Sequence, residues 1–128
     1  MPLVRIDLRQ GTTRAYRKAI ADGVRAAMIE ALAVPPDDRF QVISEHDADS
    51  LIYDPQYFSM QRSDKVVFIQ ITMSAGRKLG QKRALFKRVT ELLAKTPGVR
   101  PEDVFINLVE VAWGNWSFGL GEARYTKD

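Results

Sequence analysis

Val34-Pro35-Pro36-Asp37-Asp38-Arg39-Phe40-Gln41-Val42-Ile43-Ser44-Glu45 returns 65 positions later as Val99-Arg100-Pro101-Glu102-Asp103-Val104-Phe105-Ile106-Asn107-Leu108-Val109-Glu110. The correspondence runs outward from this stretch without a gap: Ile6 meets Ile71, Gly11 meets Gly76, Ala19 meets Ala84 and Val24 meets Val89. An internal repeat of this length fixes the architecture before any residue-level argument. It also acts as a control within one chain. Residues kept in both copies build the fold, and residues that differ at equivalent points are candidates for function. The sharpest difference is Pro2, which opens the first copy, whereas its counterpart Val67 lies in mid-chain.

Each copy reads strand, helix, strand. Val4, Ile6 and Leu8 alternate with Arg5, Asp7 and Arg9, the period of a strand with one wet face. Gly11 breaks it, and Thr12 or Thr13 can cap a helix. Over Arg14–Leu32 the apolar set Ala19, Ile20, Val24, Ala27, Met28, Ala31 and Leu32 keeps helical spacing until Pro35 and Pro36 stop it. Residues 40–44 form the next strand. The second copy gives a strand over 66–73, a helix near Leu79–Lys95 and a strand over Val104–Val111. The 66–73 run is apolar nearly throughout, as in a central strand covered on both faces.

A strand–helix–strand unit returns its second strand parallel to the first through a right-handed crossover. Two units predict an α+β fold, βαββαβ, with a four-stranded mixed sheet and both helices on one face. A pseudo-two-fold axis sets the first strands of the two copies side by side and antiparallel. Pro2 then faces the segment 74–78, which carries Arg77. The division expected is one domain over 1–128, with repeats 1–46 and 66–111, a linker at 47–65 and a tail at 112–128. The linker carries Tyr53, Pro55, Tyr57 and Phe58, and a connection this long is often a functional loop or a small hairpin. The tail has no counterpart in the first copy. Its Trp113, Trp116, Phe118 and Tyr125 stand among Gly114, Gly119 and Gly121, as in a segment that folds back over something.

Composition narrows the classes. At 128 residues, 45% hydrophobic and 27% charged, the chain is an ordinary globular one. It has no cysteine, which excludes disulfides, thiol catalysis and cysteine-ligated metals. No apolar run has the length of a membrane span, and the N-terminus lacks a signal-peptide core, so the cytoplasm is the default expectation. A net charge of +3 is compatible with an anionic partner but does not call for nucleic acid.

Five residues could carry chemistry. Methionine before proline is normally removed, leaving Pro2 as a secondary amine that is both base and nucleophile; a retained Met1 would make it an amide. Burial or a nearby guanidinium disfavours the ammonium form, so such an amine can act as a general base near neutrality, or as an acid if its pKa stays high. The plainer alternative is a residue tolerated at a strand start. Arg77 stands where the first copy has Thr12, so the fold does not require arginine there, and its fork suits a carboxylate. Its alternative is a solvated place in the run Arg77, Lys78, Lys82, Arg83, Lys87, Arg88, a reading that fits the later members well. Asp38 could orient water or share a proton with the amine, or, since Asp103 repeats it, could shape a turn that feeds a strand. Trp116 and Phe118 could dry a site and depress the amine's pKa, or simply pack. His46, the one histidine, has no partner spacing for catalysis.

With the opening Met1-Pro2-Leu3-Val4-Arg5-Ile6-Asp7-Leu8, the segment Val34 through Gln41, and Asn115-Trp116-Ser117-Phe118-Gly119-Leu120-Gly121-Glu122-Ala123, the chain resembles the tautomerase superfamily, in particular its malonate semialdehyde decarboxylase branch. The likeness spans nearly the whole chain. It implies fused βαβ units assembled as a homotrimer, with Pro2 as the catalytic group and no metal or organic cofactor. It further implies Arg77 as the holder of a substrate carboxylate, Asp38 as the aspartate that acts with the proline or on water, and Trp116 and Phe118 as the hydrophobic wall. The pattern departs at Ala75 and Gly76, where the branch carries an arginine and a proline, and this leaves Arg77 alone. One guanidinium still binds a carboxylate, but dehalogenation and decarboxylation thereby lose an electrophilic contact. Keto–enol tautomerisation of a 2-oxo acid such as phenylpyruvate needs only a base, a carboxylate anchor and a dry pocket, so it leads; C–C cleavage of a 3-oxo acid or hydration follows. A non-catalytic ligand- or nucleic-acid-binding βαββαβ module is the reading from another class. Against RNA, the strand at 66–73 is too apolar for an open stacking platform.

Overall fold

The computed structural model describes residues 2–124; Met1 and Tyr125, both named above, lie outside the described residues. Six main elements run in the order β1 (Pro2–Arg9), α1 (Arg14–Leu32), β2 (Gln41–His46), β3 (Val67–Ser74), α2 (Leu79–Lys95) and β4 (Val104–Val111). The sheet order is β2-β1-β3-β4. β1 and β2 are parallel, as are β3 and β4, while the central β1 and β3 are antiparallel. The βαββαβ mixed sheet expected from the repeat is thus the fold of the chain.

Each element has a local cause. Thr13 caps α1 by accepting the Tyr16 backbone N–H at 3.1 Å. The helix ends at Ala33, whose φ of 55° turns the chain left-handed ahead of the prolines. β2 begins one residue later than the 40–44 expectation and runs two further, because its ladder with β1 is set by Val4 opposite Gln41 and Arg9 opposite His46. β3 is displaced by one for the same reason, since its pairing with β1 closes at Pro2 opposite Met73 and its ladder with β4 runs on to Ser74. The linker forms neither strand nor hairpin; its one helical feature is a 3-10 turn at Tyr57–Ser59.

Both helices pack on one face of the sheet. Val4, Ile6 and Leu8 of β1 and Val67, Ile69, Ile71 and Met73 of β3 meet Ile20, Val24, Ala27 and Met28 of α1 and Leu85, Val89 and Leu93 of α2. All are buried, and each large side chain contributes roughly 1.5–3 kcal/mol by leaving water. The helices approach closely at Gly23, where an added Cβ would stand 2.8 Å from Leu93 Cδ2. The other face of the sheet is covered only in part, by Tyr53 of the linker against Phe68 and by Trp116 of the tail at Ser74, and exposes Val42, Phe105 and Val109. Among the described residues no helix is long and apolar enough to cross a membrane.

Candidate active site

Pro2 is the first residue of a central strand. It lies on the core-facing row with Val4, Ile6 and Leu8 and is itself buried. A residue without a backbone N–H fits there because it heads the strand, where no ladder donor is needed. Beside it opens a cleft of about 190 Å³, lined by Pro2, Leu3, Phe40, Trp116, Ser117 and Phe118. Aromatic and aliphatic carbon dominates this lining, so an ionised group inside it is poorly solvated.

The tail builds the cleft's wall. After β4 a 3-10 turn at Trp113–Asn115 reverses the chain. Trp116 then donates its indole Nε1–H to Ser74 Oγ at 3.0 Å. Ser74 is wholly buried at the end of β3, next to the position paired with Pro2. Phe118 stacks on Trp116 with ring centroids 5.6 Å apart and planes 23° apart. The fold-back of the tail is therefore anchored by one buried hydroxyl. That residue was readable as a difference between copies, since Ser74 faces Arg9 in the repeat, but a serine ending an apolar strand draws no notice in the sequence. Leu3, Phe40 and Ser117 also join the site without having been singled out for it.

Arg77 and Asp38 are not among the residues lining the cleft. Arg77 sits half-buried on the connection from β3 to α2, with Nη2 3.5 Å from the Leu32 carbonyl at the end of α1. Its loop is held from beneath: Glu110 accepts from Lys82 and from the Gly76 backbone N–H, and these donors, Lys82 first, keep its carboxyl below the usual range. The first copy has the equivalent device in Arg17 and Glu45, 3.3 Å apart. Lys82 thus serves the loop, partly buried and ion-paired to Glu110 rather than solvated as the reading of the basic run expects.

Asp38 is half-buried in the turn before β2, its backbone N–H bonded to the Pro35 carbonyl at 3.0 Å. Its counterpart in the second copy is Asp103. Asp103 is buried and accepts from Ser63 N at 2.7 Å and Ser63 Oγ at 2.6 Å, clamping the segment that leads into β3. His46 lies at the far end of β2, with Nε2 2.6 Å from Asp7 Oδ1, away from the Pro2 cleft.

Comparison with known proteins places the chain in a family. A family model described as tautomerase enzyme matches residues 38–119, and a second with the same description matches residues 2–61. The curated "Probable tautomerase YusQ" of Bacillus subtilis (strain 168) is 37% identical over 124 residues, covering 97% of this chain and 98% of that protein. The solved structure of FG41 malonate semialdehyde decarboxylase inhibited by 3-bromopropiolate is similar at a TM-score of 0.90 and 44% identity, covering 96% of this chain and 93% of that one. Another malonate semialdehyde decarboxylase, described with decarboxylase and hydratase activities, matches at a TM-score of 0.90 and 33% identity, covering 96% and 95%.

Proposed function

The chain belongs to the tautomerase superfamily, in its malonate semialdehyde decarboxylase branch, and on that premise we propose that Pro2, freed of Met1, transfers protons on a small oxo carboxylic acid, first of all in keto–enol tautomerisation of a phenylpyruvate-like 2-oxo acid. The observation that carries the reading is the burial of Pro2 in a cleft walled by stacked Trp116 and Phe118. An amine in apolar surroundings holds its proton less tightly, which brings it toward the pKa a general base needs at neutral pH. As base it takes the proton from the carbon next to the carbonyl while the oxygen gains one, and it returns a proton in the reverse sense.

Arg77 is the substrate's anchor in this reading. Its bond to the Leu32 carbonyl is at the limit of hydrogen bonding, and a carboxylate is the stronger acceptor, so the guanidinium exchanges one for the other. Asp38 stands to the start of β1 as Asp103 stands to the start of β3. In this reading Asp38, in the turn before β2, shares a proton with the amine or orients water. Residues 1–128 act as one unit, duplicated over 1–46 and 66–111. Three such units associate through the part of the outer sheet face that exposes Val42, Phe105 and Val109.

The experiment is ketonisation of phenylenolpyruvate by wild type and Pro2→Ala, with intact-mass analysis to establish loss of Met1. Loss of an acid/base group lowers kcat and kcat/KM together by about 10²–10⁴. Equal rates in the two proteins would refute the role of the amine.

Likeness to two malonate semialdehyde decarboxylases over 96% of the chain favours a second reaction on the same residues. Malonate semialdehyde would lose its carboxylate as carbon dioxide, and the protonated amine would supply the proton that completes acetaldehyde. The pH profile separates the two roles: a base gains activity above its pKa, an acid below it.

A further inference from the structure

We propose that the cleft at the opposite end of the β1/β3 pair from Pro2 is a second, non-catalytic binding site for a small organic carboxylate. This assignment stands apart from the reading of Pro2. The cleft is about 310 Å³, larger than the one beside Pro2, and is formed by the end of β1, the β1–α1 connection, the first turn of α1 and the segment entering β3. The pseudo-two-fold relation makes this cleft the counterpart of the Arg77 loop, whereas the counterpart of the Pro2 cleft is a hollow lined by Tyr53, Tyr57, Phe68 and Phe105. The β1–α1 connection corresponds to the β3–α2 connection that carries Arg77, and Val67 corresponds to Pro2.

The lining selects the ligand. Leu8, Val66 and the Tyr16 ring give it an apolar floor, and Arg9 and Lys65 give it two cations against the single carboxylate of Asp64. Arg9 touches Asp64 through Nη1 at 3.6 Å, and its buried Nε–H has no hydrogen-bond acceptor among the described residues. The Arg9 side chain is one-third exposed, and its guanidinium offers charge-assisted donors to a carboxylate oxygen in the cleft. Lys65 makes no ion pair among the described residues and stands exposed at the rim. Burial first, then the nearby Asp103 carboxylate, raise the Tyr16 hydroxyl above its ordinary value, so it keeps its proton as a donor.

The wall is held in place. Asp103 clamps Ser63, and the Tyr53 hydroxyl donates to the Ser63 carbonyl at 2.6 Å, so Asp64 and Lys65 follow a fixed segment. What the cleft lacks is the reactive group. The nitrogen at position 67 is a peptide amide within the chain, without a lone pair basic enough to accept a proton. The ligand is held and released unchanged.

The test is a titration of the ¹⁵N-labelled full chain with phenylacetate, a carboxylate that cannot enolise to a stable product, followed by amide chemical shifts. Gly11, Thr12 and Lys65 report the second cleft; Leu3 and Phe118 report the first. Saturable shifts at Gly11, Thr12 and Lys65 are expected, with an affinity of their own and no response to neutral 2-phenylethanol. Arg9→Gln should raise the second-cleft Kd about tenfold, the weight of one charge-assisted bond, and leave the first-cleft titration and turnover as they are. Lys65→Met, at an exposed position, should raise it severalfold and serves if Arg9→Gln does not fold. Absence of saturable shifts at millimolar phenylacetate, an equal response to 2-phenylethanol, or indifference to the folded variants would overturn the assignment. Failure of the Pro2 reading would register in turnover alone.

Discussion

Ser74 brings a hydroxyl to the end of an otherwise apolar strand, and that hydroxyl is the acceptor for the Trp116 indole. Removing it leaves a half-buried N–H without its partner, at a cost of roughly 0.5–1.5 kcal/mol. Ser74→Ala should therefore loosen the aromatic wall without unfolding the protein. In a Trp113→Phe background the emission of Trp116 should shift to the red, and KM for phenylenolpyruvate should rise more than kcat falls. Tyr16 gives a second prediction. Its phenol is raised in the folded chain, so its contribution to stability is complete below about pH 10 and is lost as pH climbs through the raised value. Tyr16→Phe should flatten the alkaline limb of the stability curve, measured by urea midpoints across pH 9–12, and an unchanged slope would contradict it. At this scale the sequence was partly transparent. The repeat picked out Pro2 and Arg77 as differences between copies, but it could not show that Arg77 rests on the Leu32 carbonyl or that Ser74 fastens the tail, because both contacts cross between distant segments.

The elements follow local chemistry closely. The limits of α1, α2 and β4 coincide with those read from periodicity and capping. The strands β2 and β3 slip by one or two residues because their ends are set by partners across the sheet, which one segment cannot reveal. The helix pair is where packing is tightest. Gly23 admits Leu93, which is wholly buried. Gly23→Ala gains roughly 1 kcal/mol of helix propensity but forces a methyl against Leu93, an overpacking cost of about 1–3 kcal/mol. The net expectation is mild destabilisation. Leu93→Ala alone should cost about 2–5 kcal/mol through the cavity it leaves. The double variant should be less destabilised than the two effects summed, by about 1 kcal/mol or more, because the new methyl then occupies vacated space. Urea unfolding of the four proteins measures the coupling, and strict additivity would show that the two sites do not touch.

At the scale of the molecule, the exposed Val42, Phe105 and Val109 on the outer face of the sheet ask for a cover. Light scattering at micromolar concentration should return three times the 14.5 kDa protomer mass, and Val109→Lys, which puts a charge on that face, should shift the distribution toward monomer. A monomeric wild type would contradict the trimer. The topology was the most legible feature of all, since a gapless duplication leaves few ways to arrange two strand–helix–strand units. The join between the copies has a larger effect than its irregular shape implies. Two identical, unlinked halves would be bound to symmetry: any mutation would strike both ends of the central strand pair at once. Residues 47–65 abolish that constraint by joining the two halves into one chain. From then on each end can drift on its own, and the two ends now differ in lining: aromatic carbon from the tail at one, Arg9, Lys65 and Asp64 at the other.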